Sequence, residues 1–361
     1  MKTGQERQSG GQKPSLSQQV KAFAKGLGFD PVGITTAEPA EEAESRLQQW
    51  LRAGCAASMS YMQREWPRRG HPRDLLPEAR SVIGLALNYY PGEIEARRDQ
   101  RSRGRIARYA VGGDYHKVLK KKLRRLESYL VERGGAQTKT KSLVDSSPLL
   151  EREFARRAGV GFIGKNTHLI TLKHGSWVVL AEVLTTLALE PDAPISAHCG
   201  TCTECLQACP TGALREPFVL DARRCISYWT IEHRGAIPEE LEPLIQDWVF
   251  GCDRCQEVCP FNRKPTLTRE SRFRQGAIVE TELPLEELLW LDQEAAFQKR
   301  FKQSPLLRPK REGMVRNALV AARNQLARDA AAHIRKLAEG DVSEAIRRLA
   351  GRVLSRIESA K

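Results

Sequence analysis

Cys199-Gly-Thr-Cys202-Thr-Glu-Cys205-Leu-Gln-Ala-Cys209-Pro210 spaces three cysteines two residues apart, adds a fourth after three more, and closes on proline. This is the ligand run of bacterial ferredoxins, in which the fourth thiolate serves the other of two 4Fe-4S clusters. A second run, Cys252-Asp-Arg-Cys255-Gln-Glu-Val-Cys259-Pro260, ends the same way but has Val249 where its first cysteine should stand. Cys225 is the replacement. Crossing the fourth ligands gives Cys199, Cys202, Cys205 and Cys259 to one cluster and Cys209, Cys225, Cys252 and Cys255 to the other. Structural zinc also uses Cys-x-x-Cys pairs, but two interleaved runs each closed by Cys-Pro suit a pair of cubanes, hence electron transfer. Cys55 stands outside the pattern and reads as a free, half-buried thiol.

Working outward, 58 basic against 44 acidic residues give a formal charge of +14, which favours a polyanionic partner, either nucleic acid or an acidic membrane surface. A membrane-spanning helix needs about 20 apolar residues. The most apolar stretch, Trp177 to Leu189, is shorter and carries Glu182, so no membrane span is expected. Residues 1–14 are polar and lack the apolar core of a secretory signal. They read as a disordered tail, and the chain is assigned to a reducing cytoplasm, where clustered cysteines are more often metal ligands than disulfides.

A chain of 361 residues suggests two or three domains. Ser15 precedes an amphipathic helix ending near Gly26 and Gly28, and an extended segment, Phe29 to Thr35, follows. Ser81 to Tyr89 and Trp177 to Leu187 read as strands, Tyr115 to Arg133 and Pro148 to Ala158 as helices. The predicted class is α+β. An α/β unit over 15–194 is followed by a small metal-stapled module over 195–265 and a helical region over 266–361. In the last, Val315-Arg-Asn-Ala-Leu-Val-Ala-Ala is echoed about 31 residues later by Ile346-Arg-Arg-Leu-Ala-Gly-Arg-Val, which suggests a degenerate HEAT-type repeat.

Gly159-Val-Gly161-Phe-Ile-Gly164 matches a dinucleotide fingerprint but follows a helix rather than a strand, which argues against NAD. Its glycines should cap that helix and let backbone approach a large planar ligand. Val144-Asp145-Ser146 lies between a strand and a helix, where Asp145 suits either a helix cap or a catalytic carboxyl. Asp114-Tyr-His116 begins like a cobalt-ligating Asp-x-His-x-x-Gly run, yet Leu119 stands where glycine is required, so His116 reads as a helix-start histidine. Six arginines between Arg97 and Arg108, with Lys117, Lys120, Lys121, Lys122 and Arg124 and the excess at Arg263 to Arg274 and Arg308 to Arg311, suggest a broad basic surface for phosphates.

Arg108-Tyr-Ala, Asp114-Tyr-His, Val144-Asp-Ser, Gly161-Phe-Ile-Gly-Lys-Asn166, Cys209-Pro-Thr-Gly-Ala213, Arg224-Cys-Ile-Ser-Tyr228 and Phe250-Gly-Cys-Asp-Arg-Cys255 occur in this order. Over residues 15 to 330 the chain resembles the epoxyqueuosine reductases. The resemblance implies a cobalamin-dependent oxidoreductase, kin to reductive dehalogenases, that reduces epoxyqueuosine to queuosine at the wobble position of tRNA with a GUN anticodon. It also implies an N-terminal cobalamin domain, a ferredoxin-like domain with two 4Fe-4S clusters, and a C-terminal helical repeat. Asp145 matches the family's proton donor, and Arg69, Leu169, Leu180 and Ser227 fall at cobalamin-contacting positions. Some members carry a cysteine where this chain has Ala107. Electrons from an unidentified donor would pass through the clusters to cobalamin, while Asp145, its pKa raised by burial, protonates the epoxide oxygen. A monomer is expected. A stand-alone electron carrier, or a nucleic-acid-binding protein with structural clusters, is the reading from another class.

Overall fold

The computed structural model describes residues 13–93, 101–145, 147–274 and 276–360; the tail to Gln12, Arg97, Arg98 and Ser146 lie outside the described residues. Ser15 opens α1 (Leu16–Gly26) with a capping box, its hydroxyl accepting from the Gln18 N–H while the Gln18 side chain accepts from the Ser15 N–H. Then come β1 (Val32–Thr36), α2 (Glu41–Arg52), β2 (Ser81–Asn88) and β3 (Arg103–Ile106). Asp114 caps α3 (Tyr115–Gly134) by accepting from the His116 N–H. The first half finishes with β4 (Thr140–Leu143), α4 (Glu151–Arg157), the hairpin β5 (Phe162–Ile163) and β6 (Leu169–Ile170), and β7 (Val178–Thr185).

Strands β1, β2, β7 and β4 form one sheet in that order, antiparallel at every pairing. All eight residues of β2 are buried because both faces are covered. Ile83, Leu85 and Leu87 meet the leucine stripe of α3, in which Leu119 is fully buried. Val82 and Ala86 meet Phe154 and Ala155 of α4. The register partners Gly33 and Gly84 admit the C-terminal end of α4: a Cβ on Gly33 would lie 1.9 Å from the Ala158 carbonyl oxygen. That close approach fixes the opposite end of α4 at the site described below.

The hairpin β8 (Leu214–Glu216) and β9 (Val219–Leu220) lies in the cysteine-rich region, followed by β10 (Trp248–Phe250) and β11 (Glu282–Pro284). A second sheet has the order β10-β3-β11, with β10 parallel and β11 antiparallel to β3. It takes one strand from each of the three sequence segments, so the segments are joined by backbone hydrogen bonds rather than strung as beads. They also share a core. In α5 (Lys310–Gln325) residues 313–322 are all buried, and Val315 and Leu319 belong to one apolar cluster with Ile106, Ile226 and Trp248. The pair α6 (Ala331–Gly340) and α7 (Glu344–Ser359) closes the chain. The two echoing stretches lie on α5 and α7, but in unlike settings: α5 is enclosed, whereas α7 buries only the Ile346, Leu349, Ala350, Val353, Ile357 stripe. Among the described residues no helix is long and apolar enough to cross a membrane.

Candidate active site and cluster centres

A cavity of about 2210 Å³ opens between the first sheet, the β8–β9 hairpin and the segment leading into α5. Its walls include Tyr61, Arg69, Tyr115, His116, Asp145 and Arg308. Asp145 follows β4 and adopts φ +44, a left-handed conformation that costs a non-glycine residue roughly 1–2 kcal/mol. Its side chain is 60% exposed into this space. The helix-cap alternative fails, because α4 begins only at Glu151 and has no side-chain cap.

Three groups hold Asp145. The Tyr115 hydroxyl donates to its Oδ2 at 2.9 Å, and His116 Nε2 lies 3.3 Å from the same oxygen. Its backbone N–H donates to the Glu151 carboxyl. His116 Nδ1 is 2.8 Å from Asp114 Oδ1, so both ring nitrogens face carboxylates and both must donate. Burial works against the imidazolium, but hydrogen bonds to Asp114 and Asp145 overcome it and push His116 up to about 9. The His116 hydrogen bond, against opposing burial, holds Asp145 below its ordinary value. This corrects the expectation of a raised Asp145: at neutral pH the aspartate is ionised and its partner histidine carries the proton. The reason is pairing, which outweighs desolvation here.

The eight patterned cysteines are free thiols, and the fold gathers them in two sets. Burial raises the Cys205 thiol, and the nearby Cys199, Cys259 and Cys202 raise it further. Burial likewise raises Cys255, helped by Cys252, Cys225 and Cys209. Cys259 thus joins the first triad and Cys209 the second trio. Backbone N–H groups point at sulfur from Lys165 to Cys199 at 3.4 Å and from Ala213 to Cys209 at 3.3 Å. Among the described residues no three His, Cys, Asp or Glu side chains are arranged to hold a single metal ion. Thiols around a cubane stand farther apart than ligands of one ion, since each binds its own iron.

A relative from Cellulophaga algicola named epoxyqueuosine reductase is 40% identical over 84% of this chain and 97% of its own length. The chain belongs to the epoxyqueuosine reductase family. The family model described as epoxyqueuosine reductase QueG, DUF1730, matches residues 69–146, and a 4Fe-4S double cluster binding domain matches 198–262. A solved epoxyqueuosine reductase with a tRNA-Tyr epoxyqueuosine-modified stem loop aligns at TM-score 0.88 and 34% identity, covering 95% of this chain and 90% of that one. A Bacillus subtilis epoxyqueuosine reductase, solved with an aspartate catalytic loop swung out of the active site, aligns at TM-score 0.86 and 34% identity, with 95% and 90% coverage.

Of the residues assigned to cobalamin contact by family likeness, Arg69 and Asp145 line the cavity. The Arg69 Nε is buried with no hydrogen-bond partner among the described residues. Leu169, Leu180 and Ser227 are not among the lining residues: Leu169 and Leu180 pack with Ala86, Ala155 and Val160, and the Ser227 hydroxyl bonds the Cys225 thiol. Gly159 does end α4 with φ +70. Gly161 and Gly164, however, are small for the β5–β6 hairpin rather than for a ligand, since a Cβ on either would lie 2.5 Å from an atom of Ile170.

The basic stretch is divided. Arg105 pairs with Glu257 at 2.6 Å, and Arg108 with Asp253 at 3.2 Å and Glu257 at 2.8 Å. Lys122 pairs with Glu270, and Arg311 with buried Asp341. These are internal ties, not phosphate contacts. Lys117, Lys120, Lys121 and Arg124 do face solvent, along the helix that starts with Tyr115 and His116. Sequence reasoning passed over Tyr61, Tyr115, His116, Glu151 and Arg308 as site residues. The Asp114-Tyr-His run carried a signal for two of them, and Arg308 was read only as part of a basic surface for phosphates.

Proposed function

We propose that this chain reduces epoxyqueuosine to queuosine in tRNA, two electrons and two protons converting the epoxide to an alkene and water. The observation that carries this is the Asp145–His116–Tyr115 constellation on the wall of a cavity larger than the roughly 300–1,000 Å³ usual for small ligands. Cobalamin fits the chemistry of that cavity: Arg69 offers a donor unpartnered among the described residues, and Trp50, Tyr61 and Tyr109 offer apolar surface. When bound, it supplies the reducing power at the epoxide carbon. Cys199, Cys202, Cys205 and Cys259 would ligate one 4Fe-4S cluster, and Cys209, Cys225, Cys252 and Cys255 the other, with N–H···S bonds tuning their potentials. On this reading residues 15–194 hold the cobalamin, 195–265 form a ferredoxin-like relay, and the 266–361 helices form the HEAT-like part.

An alkoxide leaves poorly, so the epoxide oxygen must be protonated as its C–O bond breaks. His116, which holds the proton at neutral pH, passes it to Asp145, and Asp145, exposed to the cavity, delivers it to that oxygen. Tyr115 holds the carboxylate in line. The swung-out loop of the Bacillus subtilis relative is the precedent for reading the β4–α4 connection as a loop that carries Asp145 into place. The solvent-facing cations of α3 hold the tRNA backbone, with the modified base splayed into the cavity.

The test is anaerobic reconstitution with iron, sulfide, cobalamin and a strong reductant, then nucleoside analysis of epoxyqueuosine-containing tRNA. Queuosine should form. Its absence from protein loaded with both clusters and cobalamin overturns the reading.

A further inference from the structure

Two acids beneath Asp145 take no part in the chemistry above. Glu182 sits in the middle of β7, opposite Gly84, so it points to the sheet face that α4 covers. It is 0% exposed, and among the described residues no N–H or O–H meets either of its oxygens. What it meets is the carboxyl of Glu151, the first residue of α4. Glu151 lines the cavity and accepts the N–H of Asp145. Two carboxyls in contact, one of them wholly buried, resist ionising together, so at least one proton stays between them.

We propose that Glu151 is a positioning residue for the proton-delivering loop: it latches the left-handed Asp145 backbone into the cavity, and Glu182 behind it fixes the latch through a shared proton. This rests on Asp145 as the proton-delivering group. Asp145, Tyr115, His116, Arg69, Arg152 and Glu182 all face Glu151. Burial, then the Asp145 charge, pushes Glu151 up to about 8, against the pull of Arg152 and His116. Below that pH both acids are protonated and the latch is closed. Above it Glu182, raised well above its ordinary value, keeps its proton, while an ionised Glu151 faces the Asp145 carboxylate and the loop is released.

Amide hydrogen exchange on the full chain tests the latch. Glu151→Ala should speed exchange at Asp145 about tenfold, the worth of one hydrogen bond, while β2 amides keep their protection. Glu151→Gln, whose amide oxygen can still accept, should restore it. Infrared difference spectra between neutral and alkaline pH should show a protonated carboxyl band lost in the unmodified protein, shifted in Glu182→Gln, where the proton-sharing neighbour is gone, and absent in Glu151→Gln. Unchanged Asp145 exchange in Glu151→Ala with β2 intact overturns the proposal, as does a band that Glu182→Gln leaves unmoved. Should Glu151→Ala lose β2 protection, the infrared comparison decides. Neither readout needs cobalamin or tRNA, so failure here and failure of the reductase reading are distinguishable.

Discussion

Replacing Asp145 by Asn keeps the shape of the acid site but removes one of the two carboxylates that face His116. The imidazole is raised from 6.5 to about 9, which at 1.36 kcal/mol per unit is roughly 3.4 kcal/mol of preference for the charged ring. With Asp114 and Asp145 sharing the effect at 2.8 and 3.3 Å, loss of Asp145 should lower His116 by about one unit. The sign for stability follows. A raised histidine contributes fully below its unfolded value near 6.5, and the contribution fades as pH climbs through about 9. In Asp145→Asn that decline should begin from a smaller value and finish at lower pH. The assay is proton NMR titration of the histidine ring protons, with His116 assigned by its absence in His116→Gln. Single-turnover reduction should fall roughly 100- to 10,000-fold in Asp145→Asn, as when a general acid is lost. His116 titrating near 6.5 in the unmodified protein would refute the paired-ion account. Undiminished turnover by Asp145→Asn with cobalamin bound would refute the proton-delivery role.

Cys225→Ser should cut iron and acid-labile sulfide by about half after reconstitution, since one cubane loses a ligand and the other keeps all four; full iron content counts against the crossed assignment. Arg108→Ala leaves Asp253, 2% exposed in its side chain, buried without its cation, so chemical denaturation should show a loss of roughly 3–5 kcal/mol. Gly33→Ala drives a methyl into the Ala158 carbonyl and should destabilise by about 1–3 kcal/mol or more, read as a lower melting temperature. Binding of tRNA should weaken steeply with salt, and replacing Lys120, Lys121 and Arg124 by Ala should flatten the dependence in a filter-binding titration.

The elements best legible in the sequence were those set by local spacing. The interleaved cysteines, the Ser15 helix cap, the helical spacing of α3 and the strand runs of β2 and β7 are all set within a few residues, so local pattern exposes them. What escaped depends on partners far along the chain. Arg105 and Arg108 look like phosphate ligands until Asp253 and Glu257, about 150 residues on, neutralise them. Glu182 looked like a mere blemish in an apolar strand; its role appears only when the first turn of α4 lands on it. A buried, raised Asp145 was the expectation; the side chain is instead 60% exposed and held ionised by a histidine 29 residues earlier, a pairing that no local pattern displays.

The sheet that joins β10, β3 and β11 has a kinetic meaning. One of its strands runs into Cys252 and another into the Arg108 to His116 segment, so a single rigid crossbar sets the distance between Cys252 and the histidine that pairs with Asp145. Electron tunnelling and proton transfer both fall off steeply with distance. A crossbar of this kind keeps Cys252 and the Tyr115–His116 pair at a set spacing, and it makes residues 107–114 a poor place to insert or delete a single amino acid.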